Sequence, residues 1–150
     1  MGARPVNPDG AAIVIAAAPD PTLAEERLRR HLIADNLRVS DIGDERSVVL
    51  EARNSTGRVL GGVAAVLWGQ CLEIDLLWVD PEARGQGIGS RLLADLECRA
   101  GAEGGRRALV NTFSFQAPAF YRRAGYREVY RQEGFGDGTV TKVFFEKDLG

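Results

Sequence analysis

A glycine-rich turn between an apolar segment and an amphipathic one constrains the fold of this chain more than any other feature. The segment Cys71–Val79 is apolar except for Glu73 and Asp75, which predicts a central strand covered on both faces. Residues 88–100 repeat apolar side chains at helical spacing, which predicts an amphipathic helix. A strand that leads through a short turn into a helix indicates an α/β fold.

The turn itself, from Arg84 to Ser90, has the composition of an anion-binding site. Glycines occupy positions 85, 87 and 89, where the helix is predicted to begin. The first N–H groups of a helix have no partner within the helix, and a residue without Cβ lets the backbone approach a phosphate closely. We therefore predict a diphosphate on this turn. A glycine-rich turn without a ligand is the alternative.

Two common phosphate-binding motifs do not fit this turn. A dinucleotide-binding fingerprint requires Gly-x-Gly-x-x-Gly, but the sixth residue counted from Gly85 is Ser90. A nucleoside-triphosphate loop requires Gly-Lys followed by Ser or Thr, whereas the lysines of this chain are Lys142 and Lys147. The diphosphate is therefore predicted to belong to another class of ligand.

The remaining periodicity predicts one domain over residues 1–150, with residues 1–10 expected to fray because they have no periodic pattern. The element order is β-α-β-β-β-α-β-α-β-β, which predicts an α/β fold with a mixed sheet flanked by helices. The predicted strands are 11–18, 47–54, 59–68, 71–79, 108–113, 126–133 and 139–147, and the predicted helices are 21–37, 88–100 and 117–124.

Charge and composition exclude several classes of partner. With 19 basic and 21 acidic residues the net charge is -2, so no bulk attraction for nucleic acid is expected. No apolar run reaches the roughly 18 residues of a membrane span, and no signal segment opens the chain, so we expect a cytoplasmic protein without membrane contact. Cys71 and Cys98 have no second Cys or His nearby, which predicts no metal.

Two stretches of the chain together resemble the GNAT superfamily of acyl-CoA-dependent N-acyltransferases. The family signature Arg/Gln-x-x-Gly-x-Gly/Ala corresponds to Arg84, Gly87 and Gly89. A second family motif corresponds to residues 114–126, which contain the dipeptide Phe120-Tyr121. The resemblance implies a mostly antiparallel sheet and an enzyme that uses acetyl-CoA as its acyl donor.

The resemblance also implies how the donor is held. The diphosphate of acetyl-CoA would lie on the amides of the turn, and the pantetheine would run along the predicted strand as an additional strand does. The family often has asparagine where this chain has Ser114, so Asn111 or Gln116 is an alternative partner at that place. The predicted donor-binding residues are Leu77, Trp78, Val79, Arg84, Gly85, Gln86, Gly87, Ile88, Gly89, Ser90 and Ser114.

Three residues are candidates for the chemistry. Glu73 and Asp75 are predicted on one strand face together with Leu77, and either could accept the proton of the attacking amine. The alternative for both is structural pairing with arginines. Tyr121 matches the family tyrosine that often protonates the departing thiolate, and a tyrosine that merely packs on its helix is the alternative.

These assignments predict an N-acetyltransferase. It would move an acetyl group from acetyl-CoA to a primary amine, we expect of a small molecule, by direct attack without a covalent enzyme intermediate. A peptide or protein amine is the alternative acceptor, and a non-catalytic acyl-CoA-binding module is the alternative function. A homodimer is kept as an open alternative to a monomer.

Overall fold

The computed structural model describes residues 13–39 and 45–150 of this chain. They belong to two compact units, Met1–Asp41 and Ile42–Gly150. The predicted fraying of residues 1–10 lies outside the described residues, and the single domain over 1–150 stays a prediction. Over the described ranges, no helix is both long and apolar enough to cross a bilayer.

The described part of the first unit contains a helix, α1, over Pro21–Val39. The side chain of Asp20 accepts the N–H of Leu23 at 3.0 Å and so satisfies one first-turn donor. This helix confirms the prediction over 21–37. The strand predicted over 11–18 is not formed where it can be seen, because residues 13–18 have no regular structure. A strand needs a neighbour for its backbone groups, and the alanines of this segment have low strand propensity.

The second unit forms one sheet with two α-helices. Among the described residues the strand order is β1-β2-β3-β4-β6-β5, in which β3 and β4 are parallel and the other neighbours antiparallel. This confirms the predicted α/β fold with a mixed, mostly antiparallel sheet. The elements are β1 Glu45–Arg53, β2 Val59–Trp68, β3 Cys71–Val79, a 3₁₀ turn Pro81–Ala83, α2 Ile88–Ala102, β4 Arg107–Phe113, α3 Pro118–Arg123, β5 Arg127–Phe135 and β6 Val140–Asp148.

The core lies between one face of this sheet and α2. Leu92, Leu93, Leu96 and Ala100 are buried along one side of the helix, as their spacing predicts. Each large aliphatic side chain buried there contributes about 1.5–3 kcal/mol through removal of apolar surface from water. This contact fixes α2 across the central strands.

The N-terminus of α2 is held close to the sheet at Gly61 of β2. A Cβ added to Gly61 would lie 2.8 Å from the carbonyl oxygen of Trp78 and 3.3 Å from Cγ2 of Ile88. Glycine is therefore required by close approach, because any side chain would push Ile88 or the backbone of β3 away.

A β-bulge interrupts β3. In the pairing with β2, Ile74 is opposite Ala65 and Leu76 is opposite Ala64, so Asp75 has no partner in β2. The pairing of β3 with β4 ends at the same place, since it covers only Cys71 to Ile74. Beyond Ile74 the two parallel strands separate, which opens a gap within the sheet.

The bulge corrects two predictions about β3. Residues opposite each other in a sheet share a face, and Leu77 is opposite the buried Val63, so Leu77 lies on the core face. It does not share a face with Glu73, whose partner Val66 is on the other side. The strand is not covered on both faces either, because Leu76 is 68% exposed and Trp78 is 51% exposed.

Candidate active site

The turn after β3 is fixed by ionic contacts. Asp80 accepts the N–H of Glu82 at 2.9 Å, and Arg58, the residue before β2, lies 2.6 Å from Asp80 and 3.0 Å from Glu82. The Glu82 N–H and then the Arg58 guanidinium lower the pKa of the Asp80 carboxyl. Asp80 therefore stays ionised and ties the turn to β2.

Two glycines of the turn adopt the left-handed conformation. Gly85 has a φ of 76° and Gly87 a φ of 75°, values that other residues rarely adopt. A Cβ on either would meet nothing within 4 Å. Backbone conformation thus explains both glycines, and the space above them is open. Gly89 differs, because its Cβ would make ordinary contacts of 3.5 Å with Phe120 and Val79.

The beginning of α2 presents unpaired backbone donors. Gly87 is the N-cap, and no side chain caps it. Within residues 45–150 the N–H groups of Ile88, Gly89 and Ser90 donate no hydrogen bond. Arg84 lies beside them, with its Nε donating to the carbonyl of Val79 at 3.1 Å. Unpaired N–H groups, the positive end of the helix dipole and a guanidinium together favour an anion.

The turn opens into a cleft of about 450 Å³, which we call the loop cleft. It contains most of the predicted donor-binding residues. Trp78 does not line it because its side chain lies on the opposite face of β3, and Gln86 is exposed outside it. The lining residues are Leu77, Val79, Ala83, Arg84, Gly85, Gly87, Ile88, Gly89, Ser90, Ala117, Phe120 and Arg123.

A second cavity of about 250 Å³, the strand cavity, lies where β3 and β4 separate. It shares Leu77 and Ala117 with the loop cleft, so the two spaces adjoin. Asp75 lines the strand cavity and Glu73 does not, which separates the two candidate carboxylates. Its lining residues are Ile74, Asp75, Leu76, Leu77, Val110, Asn111, Thr112, Gln116, Ala117 and Tyr121.

Tyr121 combines a packed ring with a hydroxyl that has no hydrogen bond among the described residues. Its ring is 5% exposed and makes an edge contact with Tyr126 at 5.7 Å between centroids. Burial raises its pKa to about 12. The hydroxyl therefore keeps its proton at neutral pH and can donate a hydrogen bond within the strand cavity.

Comparison with known proteins identifies the family. Residues 43–128 match the acetyltransferase (GNAT) domain family, which is more than half of the chain. The chain is a GNAT acetyltransferase. It is 41% identical to blasticidin-S acetyltransferase of Streptomyces morookaense over 60% of this chain and 81% of that protein. It is also 33% identical to an acetyltransferase of Agrobacterium fabrum over 71% of this chain and 77% of that protein.

Solved structures agree with this GNAT assignment. The crystal structure of an acetyltransferase from Bacillus cereus has a TM-score of 0.76 to this chain at 34% identity. The match covers 89% of this chain and 97% of the Bacillus protein. The sheet described above is therefore shared along nearly the whole of that protein.

Where GNAT proteins often have asparagine, Ser114 serves this fold in another way. Its Oγ accepts the N–H of Thr141 at 3.3 Å, so it joins β4 to the start of β6 and lines neither cavity. Gln116 uses its Oε1 to accept the Phe113 N–H at 2.9 Å. Asn111 also lines the strand cavity, and its side chain has no hydrogen bond within the described part of the chain.

The list of predicted donor-binding residues lacks two residues of this site, although the sequence places Arg123 in a basic cluster, with Arg122, Arg127 and Arg131, of which one could reach the phosphate on the adenosine side of the donor. Phe120 and Arg123 line the loop cleft although the donor-binding prediction omits them. Phe120 and Arg123 follow Gln116 by four and seven residues, so helical spacing places them on one face of a short helix. That spacing was the available signal, since one face of the helix must point toward α2. The bulge at Asp75 could not be predicted from the alternation of side chains along a strand, because that alternation assumes a strand without an inserted residue.

Proposed function

We propose that this GNAT protein transfers an acetyl group from acetyl-CoA to the primary amine of a small molecule, with both substrates bound at once. One observation carries the proposal. The unpaired amides at the start of α2 open into a cleft that adjoins a cavity containing a tyrosine hydroxyl and a carboxylate. Groups suited to binding an anion and groups suited to proton transfer thus line two adjoining cavities.

The residues of the turn fit the donor's diphosphate. The N–H groups of Ile88, Gly89 and Ser90 are available as donors, and the open space above Gly85 and Gly87 lets a phosphate approach. The Arg84 guanidinium adds a positive charge beside them.

The backbone of β3 beyond the bulge fits the pantetheine arm. Val79 directs its carbonyl away from β2, since that oxygen accepts the Arg84 Nε–H. Backbone direction alternates along a strand, so Leu77 directs its N–H and carbonyl the same way, toward the gap left by β4. The proposal relies on Leu77 and Val79 and does not need Trp78, Gln86 or Ser114.

The chemistry that the donor supplies is an activated thioester. The amine nitrogen forms a bond to the thioester carbon, the carbon–sulfur bond breaks, and CoA leaves as a thiol. Asp75, directly or through water, would accept the proton that the amine loses. Tyr121 would donate to the departing sulfur, and its raised pKa favours hydrogen bonding to the developing thiolate over early loss of the proton. The Leu77 N–H would face the developing oxyanion.

Similarity to blasticidin-S acetyltransferase supports a small-molecule acceptor. A non-catalytic acyl-CoA-binding module would need the turn but neither Asp75 nor Tyr121 in the strand cavity, so their presence favours the enzyme. The cytoplasmic location and the homodimer stay predictions.

Release of free thiol from acetyl-CoA tests the proposal. The acceptors would be blasticidin S, a polyamine, an aminoglycoside and a peptide with free α- and ε-amines, with acetyl-CoA alone as the blank. We expect thiol release above the blank with at least one small-molecule amine, and thermal stabilisation by acetyl-CoA but not by NADH or ATP. Stabilisation without thiol release from any amine would favour the binding module, and turnover of the peptide alone would overturn the small-molecule acceptor.

A further inference from the structure

A third cavity, the side cavity, adjoins the loop cleft on the side away from β3. It has a volume of about 280 Å³ and lies between α2, α3 and β6. It shares Ser90, Phe120 and Arg123 with the loop cleft, so a ligand anchored at the start of α2 can extend into it. The proposed function uses none of the space beyond these three residues.

Two of the charged side chains that line the side cavity are paired with each other. Lys147 Nζ lies 2.7 Å from Glu97, and the hydroxyl of Tyr126 donates to the same carboxylate at 2.9 Å. These three side chains satisfy one another and offer little to a ligand. Arg123 differs, because it makes no ion pair or side-chain hydrogen bond with any residue that the structure describes.

The other arginines near α3 are occupied. Arg122 pairs with Glu128 at 2.7 Å and lies over the ring of Phe145, and Arg131 pairs with Glu128 at 2.9 Å. Arg127 pairs with Glu146. Of the basic residues that the sequence clusters here, Arg123 is therefore the one whose charge is available at the cavity.

We propose that Arg123 binds the ribose 3′-phosphate of the donor and makes the enzyme select CoA over dephospho-CoA. This inference rests on the proposed function. A diphosphate on the turn has the pantetheine on one side, toward Leu77 and Val79, so the nucleoside leaves on the other side, past Ser90 and Phe120. The phosphomonoester at its ribose carries nearly two negative charges, and a guanidinium matches its geometry with two hydrogen bonds.

Arg123 can discriminate between CoA and dephospho-CoA without affecting the acetyl transfer itself. It lies where the loop cleft adjoins the side cavity and does not line the strand cavity, so its loss should weaken donor binding and leave kcat unchanged at saturating donor. Because Arg123 is exposed, we expect a discrimination of about tenfold and not the larger effect of a buried pair.

Calorimetric binding of CoA and dephospho-CoA tests this, on wild type, Arg123→Gln and Arg123→Lys. Arg99→Gln is the matched control, since Arg99 is exposed on α2 and lines none of the three cavities. We expect wild type and Arg99→Gln to bind CoA about tenfold more tightly than dephospho-CoA. Arg123→Gln should bind both equally, at the wild-type affinity for dephospho-CoA, and Arg123→Lys should keep part of the preference.

Equal binding of both ligands by wild type would overturn this inference and leave the proposed function standing. If Arg123→Gln still bound CoA tenfold more tightly than dephospho-CoA, the inference would also be overturned and the proposed function would stand. Failure of wild type to bind CoA at all would instead overturn the proposed function. The melting temperature of each variant, and kcat and KM with the two acetylated donors, complete the comparison.

Discussion

The two halves of β3 use their backbone differently. Residues 71–74 pair with β2 on one side and β4 on the other, and Leu72 and Ile74 are buried there. Residues 76–79 pair with β2 alone, and their other side faces the cavities. An unpaired strand side is a place where a ligand can supply the missing partner. On the proposed function, one strand thus serves both as the centre of the sheet and as a binding edge, and the bulge at Asp75 separates the two parts.

The largest expected effect comes from blocking the glycine-rich turn that follows residues 76–79 of β3. Gly87→Glu places a carboxylate where the diphosphate should lie and strains a left-handed position, so we expect CoA affinity to fall at least about 100-fold. Gly57→Glu is the control, since Gly57 has a φ of 84°, has open space around it and lies in the β1–β2 turn. Both variants should lose about 1–3 kcal/mol of stability. Equal CoA affinity of the two would show that the diphosphate binds elsewhere.

A smaller effect is expected from Tyr121, which lines the strand cavity. Tyr121→Phe removes one hydroxyl and keeps the ring, so we expect kcat to fall at least about tenfold with unchanged CoA affinity. Tyr126→Phe is matched to it, because that hydroxyl bonds to Glu97 outside the strand cavity. It should cost about 1–3 kcal/mol of stability and spare kcat. An unchanged kcat for Tyr121→Phe would remove Tyr121 from the chemistry.

The bulge itself can be tested through its two neighbouring carboxylates. Asp75→Asn should lower kcat/KM about tenfold near neutral pH, since a neutral amide cannot accept the amine proton. Glu73→Gln, on the well-paired half and outside the strand cavity, should change it less than twofold. A reversed order would assign proton transfer to the exposed face of the sheet. Steady-state rates with saturating acetyl-CoA distinguish these results.

The smallest effect is on stability in alkali. The pKa of Tyr121 is raised from its usual value to about 12 in the folded protein, so the buried phenol stabilises the fold fully below pH 10. That stabilisation is lost as the pH rises toward 12, by about 1 kcal/mol at pH 11. Denaturant titrations at pH 9 and pH 11 should therefore show a smaller loss for Tyr121→Phe than for wild type. Identical losses would mean that the ring is more hydrated than its packing implies.

Patterns of residues close together in the sequence correctly predicted residues 71–74 of β3, which pair on both sides, and the turn that follows the strand. The strand Cys71–Val79, the start of α2 and the buried stripe from Leu92 to Ala100 all follow from periodicity and glycine spacing. These features depend on neighbours along the chain, which is why the sequence contains their signal. The glycine-rich motif after Arg84 likewise predicted a helix N-terminus with unpaired N–H groups, and the anion on it stays a prediction.

Features that depend on a partner strand could not be predicted in this way. A period of two placed Leu77 beside Glu73, whereas one unpaired residue at Asp75 moves Leu77 to the core face. Likewise, nothing local distinguishes Arg123 from Arg122, and Glu128 on β5 decides which of them is paired. The strand predicted over 11–18 was inferred from apolar residues alone, without a partner for its hydrogen bonds.

The close approach at Gly61 has a consequence for how far apart the two ends of the donor are held. Acetyl-CoA has a fixed number of bonds between its diphosphate and its thioester, so the start of α2 and the gap beside Leu77 must be separated by a matching length. That separation depends on how deeply Ile88 rests on β2, and Gly61 sets it by backbone contact, without a side chain that could adjust. On the proposed function, Gly61, which would touch neither substrate, would thereby determine whether the acetyl group arrives beside Tyr121 or stops short of it.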